Sequence, residues 1–151
     1  IPFGKSWLYL VVILDLHSRK IVGWSLGNLK TTALVKRALQ HAVRKRKPEK
    51  GLILHSDRGA EFVSFELKTY TERVGIIRSM SRPYTSIDNA EVESFFQKLK
   101  GEFIESKSYN TQKKLERLIA SYINGFYNSV RMHSSLGYLS PAKYEAVQTQ
   151  K

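Results

Sequence analysis

An α/β fold is what this sequence predicts, and three observations carry the prediction. Short β-branched and aromatic runs of strand length alternate with segments whose apolar residues recur at helical spacing. One run, GLILHSD at residues 51–57, opens on a glycine and closes on polar residues, the pattern of a buried strand in a parallel sheet. The 151 residues, 42% of them hydrophobic, suffice for one core, so residues 1–151 are expected to form one domain.

The elements follow in chain order. Residues 7–14, WLYLVVIL, read as a strand, and residues 20–26, KIVGWSL, pair with it as a hairpin across the polar break at His17, Ser18 and Arg19. Thr31 or Thr32 then caps a helix with Leu34, Val35, Ala38, Leu39 and Ala42 on one face. Its basic end at residues 44–47 reads as a solvated helix terminus before Pro48. After the strand ending at Asp57, Ser64 caps a second helix that Gly75 stops, and residues 76–80 form another strand. Residues 82–87, RPYTSI, form a loop, Asp88 opens a long helix to about Glu105, and a further helix follows Thr111 with Leu115, Leu118, Ile119, Tyr122, Ile123 and Phe126 at helical spacing. From Asn128 the chain reads as polar and irregular, with Pro141 heading a short terminal segment.

Composition narrows the function classes. No apolar stretch approaches the roughly 18 residues of a membrane span. The absence of cysteine excludes disulfides and thiolate metal sites and fits a reducing cytoplasm. Twenty-five Lys and Arg against 13 Asp and Glu give a formal charge of +12, which draws a domain to polyanions, nucleic acid first among them.

Ligands of open sheets with parallel strands gather at the strands' carboxyl ends, which makes Asp57 a candidate for chemistry, although an aspartate there also serves as a turn cap. The long helix offers acids as partners. Asp88 and Glu91, three apart, form a capping box and so have structural work. Glu93 has none, and it stands two turns before Lys100 on the same face, with Gln97 between them. Periodicity alone leaves Glu93 and Lys100 open to two readings, a metal-and-phosphate site or ordinary exposed helix charges.

Four segments in order resemble the catalytic domain of bacterial insertion-sequence transposases related to retroviral integrases. These are YLVVILDLHSRKIVGW at residues 9–24, HSDRG at 55–59, DNAEVESFFQKLKGE at 88–102 and YINGFYNSVRMHSSLGYLSP at 122–141. The resemblance implies a ribonuclease H-like mixed sheet flanked by helices, with a short C-terminal helical extension. It also implies two catalytic aspartates and a glutamate, with 35 residues between the second aspartate and the glutamate. Asp57 and Glu93 enclose residues 58–92, which is 35, so both are expected to be catalytic and to hold metal. Two Mg²⁺ or Mn²⁺ ions are implied as cofactors. Lys100 matches the family's basic residue seven places after the glutamate, and Lys98 and Arg82 are expected to join it in contacting DNA phosphates. Element ends and target DNA are the implied partners, a homo-oligomer the implied assembly, and DNA cleavage with strand transfer the implied activity.

Some positions depart from the pattern. Ala60, Glu61 and Phe62 stand where the family has a segment close to SQY, and Glu91 stands where it commonly has proline. The segment holding the first aspartate would end near Ile1, so that residue is expected upstream and the first strand truncated. Asp15 lies in the DLHSR-like turn and reads as a turn residue, His55 as a polar neighbour of Asp57, and His133 as part of the C-terminal signature with Tyr127, Asn128 and Arg131. Two other functions remain open, a ribonuclease H-like nuclease without strand transfer and a DNA-binding or assembly module. On the second, the chain binds DNA but cleaves it poorly.

Overall fold

The computed structural model describes residues 1–83 and 89–151. Among the described residues, six short strands and five α-helices run in the order β1 (Pro2–Phe3), β2 (Ser6–Trp7), β3 (Tyr9–Leu14), β4 (Ile21–Gly27), α1 (Thr32–Arg46), β5 (Ile53–Ser56), α2 (Phe65–Arg73), β6 (Ile77–Met80), α3 (Ala90–Glu102), α4 (Gln112–Ala120) and α5 (Pro141–Thr149). Parallel and antiparallel pairings coexist, as in a mixed sheet. Among the described residues they are distributed over three two-stranded ladders, β1 with β2, β3 with β4, and β5 with β6. Contacts group the chain into two compact units, Ile1–Ile13 with Val22–Glu93, and Leu14–Ile21 with Ser94–Lys151.

In the first unit, Val35, Leu39, Leu67, Tyr70 and Ile76 form a buried cluster, with Val11, Ile13, Leu54 and Phe62 packed against it. The expected face of α1 is the buried one, and Thr31 caps it by accepting from the Leu34 amide at 3.3 Å. Lys47 closes α1 in the left-handed conformation, and Arg44, Lys45 and Arg46 occupy its last turn, where the helix dipole favours cations. Ser64 caps α2 at the Leu67 amide, and Gly75 turns the chain at φ +76° before β6. Strand β4 lies so close to α1 that a Cβ on Gly23 would stand 2.3 Å from the Ala38 carbonyl oxygen, a backbone atom with little room to move.

The strand ending at Asp57 departs from the expected buried strand. It spans four residues, and Ile53, paired with the exposed Ile77, is 64% exposed. Leu54 packs on the core, so the strand alternates as a half-covered ladder does. The run at residues 7–14 is also divided: Leu8 separates β2 from β3, exchanging hydrogen bonds with Ile1 at 2.8 Å in both directions. The long helix begins at Ala90 and ends at Glu102, and the expected capping box of Asp88 lies outside the described residues.

In the second unit, Phe95 is fully buried and meets Tyr127 edge-on at 4.9 Å, with Leu99, Leu115, Ile119 and Ile123 also buried. The helix expected after Thr111 is α4, which Thr111 caps, but from Ser121 to Tyr127 the helix widens to π geometry, the Asn128 amide reaching back to the Ile123 carbonyl. One extra residue per turn rotates the buried face, so Tyr127 is inside and Phe126, expected on the apolar face, is 40% exposed.

The segment after Asn128, expected to be irregular, is folded. Asn128 is buried, its side chain donating to the Ile21 carbonyl at 3.0 Å and accepting from the Ile21 amide at 2.9 Å, which imitates a strand partner. Glu145 on α5 accepts from Ser18 at 2.8 Å and pairs with Lys20 at 2.7 Å. Ser140 caps α5, with Pro141 at its start. These links escaped the sequence reading because single polar side chains make them and no apolar period marks them. Asp15 serves the turn, as expected, its carboxylate accepting from the amides of His17 and Ser18.

Two predictions follow from this packing. Gly23→Ala should lower the free energy of urea unfolding by about 1–3 kcal/mol, the range of core overpacking; a change under about 0.5 kcal/mol would mean that β4 and α1 separate freely. The second concerns His133, 7% exposed and held neutral by burial and then by the Arg131, Lys98 and Arg19 charges, which push its pKa from 6.5 to about 4. The unfolded chain therefore takes up this proton first. The stability contribution is intact above pH 6.5, declines below it and is lost by about pH 4, at most about 3 kcal/mol. Thermal unfolding of His133→Phe, which keeps the ring packing on Tyr127, should lose that part of the acid sensitivity; an unchanged pH profile would refute the assignment.

Candidate active site

Asp57 follows β5 directly and is exposed at the strand's carboxyl end. Pairing with β6, in the parallel register Ile53↔Ile77 to Ser56↔Met80, holds that end in place. One carboxylate oxygen of Asp57 accepts from the Gly59 amide at 2.8 Å, so the residue caps the turn and still presents a carboxylate to solvent. The turn and candidate-site readings of this aspartate are compatible.

Glu93 lies in the first turn of α3, where a negative charge suits the helix dipole, and it is exposed. Gln97 and Lys100 are exposed in the following turns, while Phe95 and Leu99 are buried, which places the three polar residues along the outer face. Asp57 and Glu93 belong to the first compact unit. The unit boundary falls within α3 after Glu93, so Lys98 and Lys100 belong to the second. Arg82 is exposed in the first unit.

Hydrogen bonds join the strand end to the start of the helix. His55 on β5 has Nδ1 at 3.0 Å from Ser79 Oγ and Nε2 at 3.1 Å from Ser81 Oγ. The Ser81 hydroxyl also donates to the Ser56 carbonyl at 3.3 Å and accepts from Asn89 Nδ2 at 2.9 Å, immediately before α3. The Ser81 amide donates to the Ser56 carbonyl at 2.9 Å, and its own carbonyl accepts from Arg58 Nε at 2.9 Å. His55 is thus a structural neighbour of Asp57, as expected, but one with both ring nitrogens engaged.

Two residues near the strand end were missed from sequence. Glu61 is buried and accepts an ion pair from Lys30 at 3.0 Å. That hydrogen bond and charge, with the Asp57 carboxylate adding to them, raise the Lys30 pKa and keep an ammonium group in the field of Asp57. The departure at residues 60–62 was the available signal for Glu61; nothing in the local pattern marked Lys30. Of the expected phosphate contacts, Lys98 is only partly exposed, its pKa lowered by burial and by Arg131. Arg131 grips Glu102 with Nε at 3.0 and 3.1 Å and a second nitrogen at 2.6 Å, and Tyr122 donates to the same carboxylate at 3.0 Å. That grip holds Glu102 ionised below the ordinary carboxylate range.

Asp57 and Glu93 offer only oxygen donors, the type a hard divalent cation takes. Among the described residues, no group of three or more His, Asp or Glu is brought together for a metal ion.

Comparison with known proteins places this chain in a family. The integrase core domain model matches residues 1–86, and a second integrase core domain model matches residues 74–141. The chain is 40% identical over 145 residues to the transposase for insertion sequence element IS904 of Lactococcus lactis subsp. lactis (strain IL1403), covering 96% of this chain and 57% of that protein. It is 38% identical over 141 residues to the transposase InsF for insertion sequence IS3A of Escherichia coli (strain K12), covering 93% and 49%. The chain thus spans about half the length of the curated relatives it matches. Among solved structures, the HTLV-2 integrase catalytic core domain superposes with a TM-score of 0.71 at 14% identity, covering 95% of this chain and 88% of that one. The BIV integrase catalytic core domain gives 0.66 at 18%, covering 98% and 91%. These structures establish the ribonuclease H-like fold of retroviral integrase cores, and with the sequence matches they show that the chain belongs to the integrase core domain family of transposases and integrases.

Proposed function

We propose that this chain is the catalytic core of a DNA transposase that cuts DNA strands and joins them to a target with the help of divalent cations. The observation that carries this reading is the presentation of two exposed carboxylates, Asp57 from a parallel strand end and Glu93 from a helix start, within one compact unit of an integrase core. Kinship with transposases supports DNA as substrate. The HTLV-2 core was solved in complex with magnesium, in trimeric and dimeric forms, which supports Mg²⁺ or Mn²⁺ as cofactor and self-association as the working state.

In the first step a water oxygen attacks a phosphorus at the element end. A new P–O bond forms, the bond to the 3′ oxygen breaks, and that oxygen leaves with the electron pair and is protonated to a 3′-hydroxyl. In the second, this hydroxyl gives up its proton to solvent and its oxygen forms a bond to a target phosphorus, while the displaced target 3′ oxygen leaves with the electron pair and is protonated in turn. Divalent cations, two in the complete site, would activate the attacking oxygen and stabilise the leaving one. Asp57 and Glu93 would hold them, an oxygen-only donor set that matches their hardness. The hydrogen bond from Gly59 fixes the Asp57 carboxylate on its turn, and α3 presents Glu93 outward. Lys100 is exposed two turns beyond Glu93 and suits a phosphate contact, as does exposed Arg82. Lys98, partly buried beside Arg131, would contribute mainly through its charge.

Strand cleavage and joining on duplexes carrying element ends, with Mg²⁺ or Mn²⁺, test the reading. Glu93→Gln and Asp57→Asn should each lower both steps by at least about 100-fold with DNA affinity within about twofold, because removing a metal ligand forfeits several kcal/mol of transition-state stabilisation. Equal activity in the substituted and unsubstituted proteins would refute it, and cleavage without joining would favour a nuclease. Lys100→Ala should instead weaken DNA binding and lower its salt slope by about one phosphate contact.

A further inference from the structure

We infer that Ser81 and Asn89 are positioning residues that set the two candidate carboxylates against each other, through a hydroxyl shared between the strand bearing Asp57 and the helix bearing Glu93. The inference rests on the metal-dependent reading above. A serine hydroxyl has one proton and two lone pairs. Here the proton goes to the Ser56 carbonyl, which leaves both remaining partners, Asn89 Nδ2 and His55 Nε2, as donors. Asn89 therefore presents its amide N–H, since an amide oxygen turned to Ser81 would demand a second hydroxyl proton. The ring tautomer that suits this arrangement donates from His55 Nε2 and accepts at Nδ1 from the Ser79 hydroxyl.

All of Ser81's polar groups are thereby engaged, in a residue only 4% exposed. Two of them fix the Ser56 carbonyl, one peptide before Asp57, and the carbonyl of Ser81 fixes Arg58, one residue after it. The bond from Asn89 brings the start of α3 to the same point, one helical turn before Glu93. A buried hydroxyl that loses a partner leaves donors unsatisfied, so the arrangement favours one separation of the two elements over a range of them. A divalent ion shared by two carboxylates needs such a fixed separation, because the cost of bringing them together otherwise falls on binding.

The test is Mn²⁺ binding to the chain, read from the paramagnetic resonance signal of free Mn²⁺, alongside thermal unfolding. Asn89→Ala should weaken Mn²⁺ binding at least about tenfold, which is about 1.4 kcal/mol, while its unfolding temperature stays within about two degrees. Ser81→Ala should weaken binding by as much or more, and the double variant no further than the weaker-binding single, since both break one shared hydroxyl. Asn89→Gln, which keeps the amide donor, should recover part of the affinity. Mn²⁺ affinity within twofold of the unsubstituted chain in Asn89→Ala would overturn the inference, even if Ser81→Ala unfolds. Binding that survives Glu93→Gln and Asp57→Asn would overturn the metal reading itself, and this inference with it.

Discussion

The parallel pairing of β5 with β6 is the constraint on which the site depends. Four backbone positions in register place Ser56 opposite Met80, so that Asp57 leaves one strand where Ser81 leaves the other. Parallel neighbours need a crossover, and α2 supplies it, capped by Ser64 and turned into β6 at Gly75. Burial of Leu67 and Tyr70 against Val35 and Leu39 of α1 anchors that crossover, and the close approach at Gly23 seats α1 on β4. Packing that names no functional residue therefore determines where the carboxylate stands.

Much of this was legible in the sequence where a short-range physical rule operates. Thr31, Ser64 and Thr111 cap their helices because a hydroxyl before an apolar period satisfies an orphan amide. The buried face of α1 follows from the helical period. Long-range polar links left no such trace. Asn128 clasping Ile21, and Glu145 gripping Ser18 and Lys20, connect residues more than 100 positions apart, and each reads in isolation as an ordinary surface side chain. The π turn at Ser121–Tyr127 defeated the period itself, since one added residue exchanges Phe126 for Tyr127 on the inner face.

The site divided along the same line. Asp57 was marked by its place at a strand end and Glu93 by having no capping duty, and the segments resembling transposase motifs selected the pair. The residues that support them were not marked. Lys30 and Glu61 meet across the first unit, and Ser81 and Asn89 flank a loop that reads as a plain connection. Positive charge, distributed over both compact units, suits a long polyanion better than a small anionic ligand.

Crystals of the protein soaked in Mn²⁺ and examined at the manganese absorption edge would show whether Asp57 and Glu93 hold a divalent ion together. An anomalous peak is expected within about 2.4 Å of carboxylate oxygens from both Asp57 and Glu93, the distance scale of oxygen coordination. A peak held by other residues, or an empty map with the two carboxylates turned apart, would contradict it.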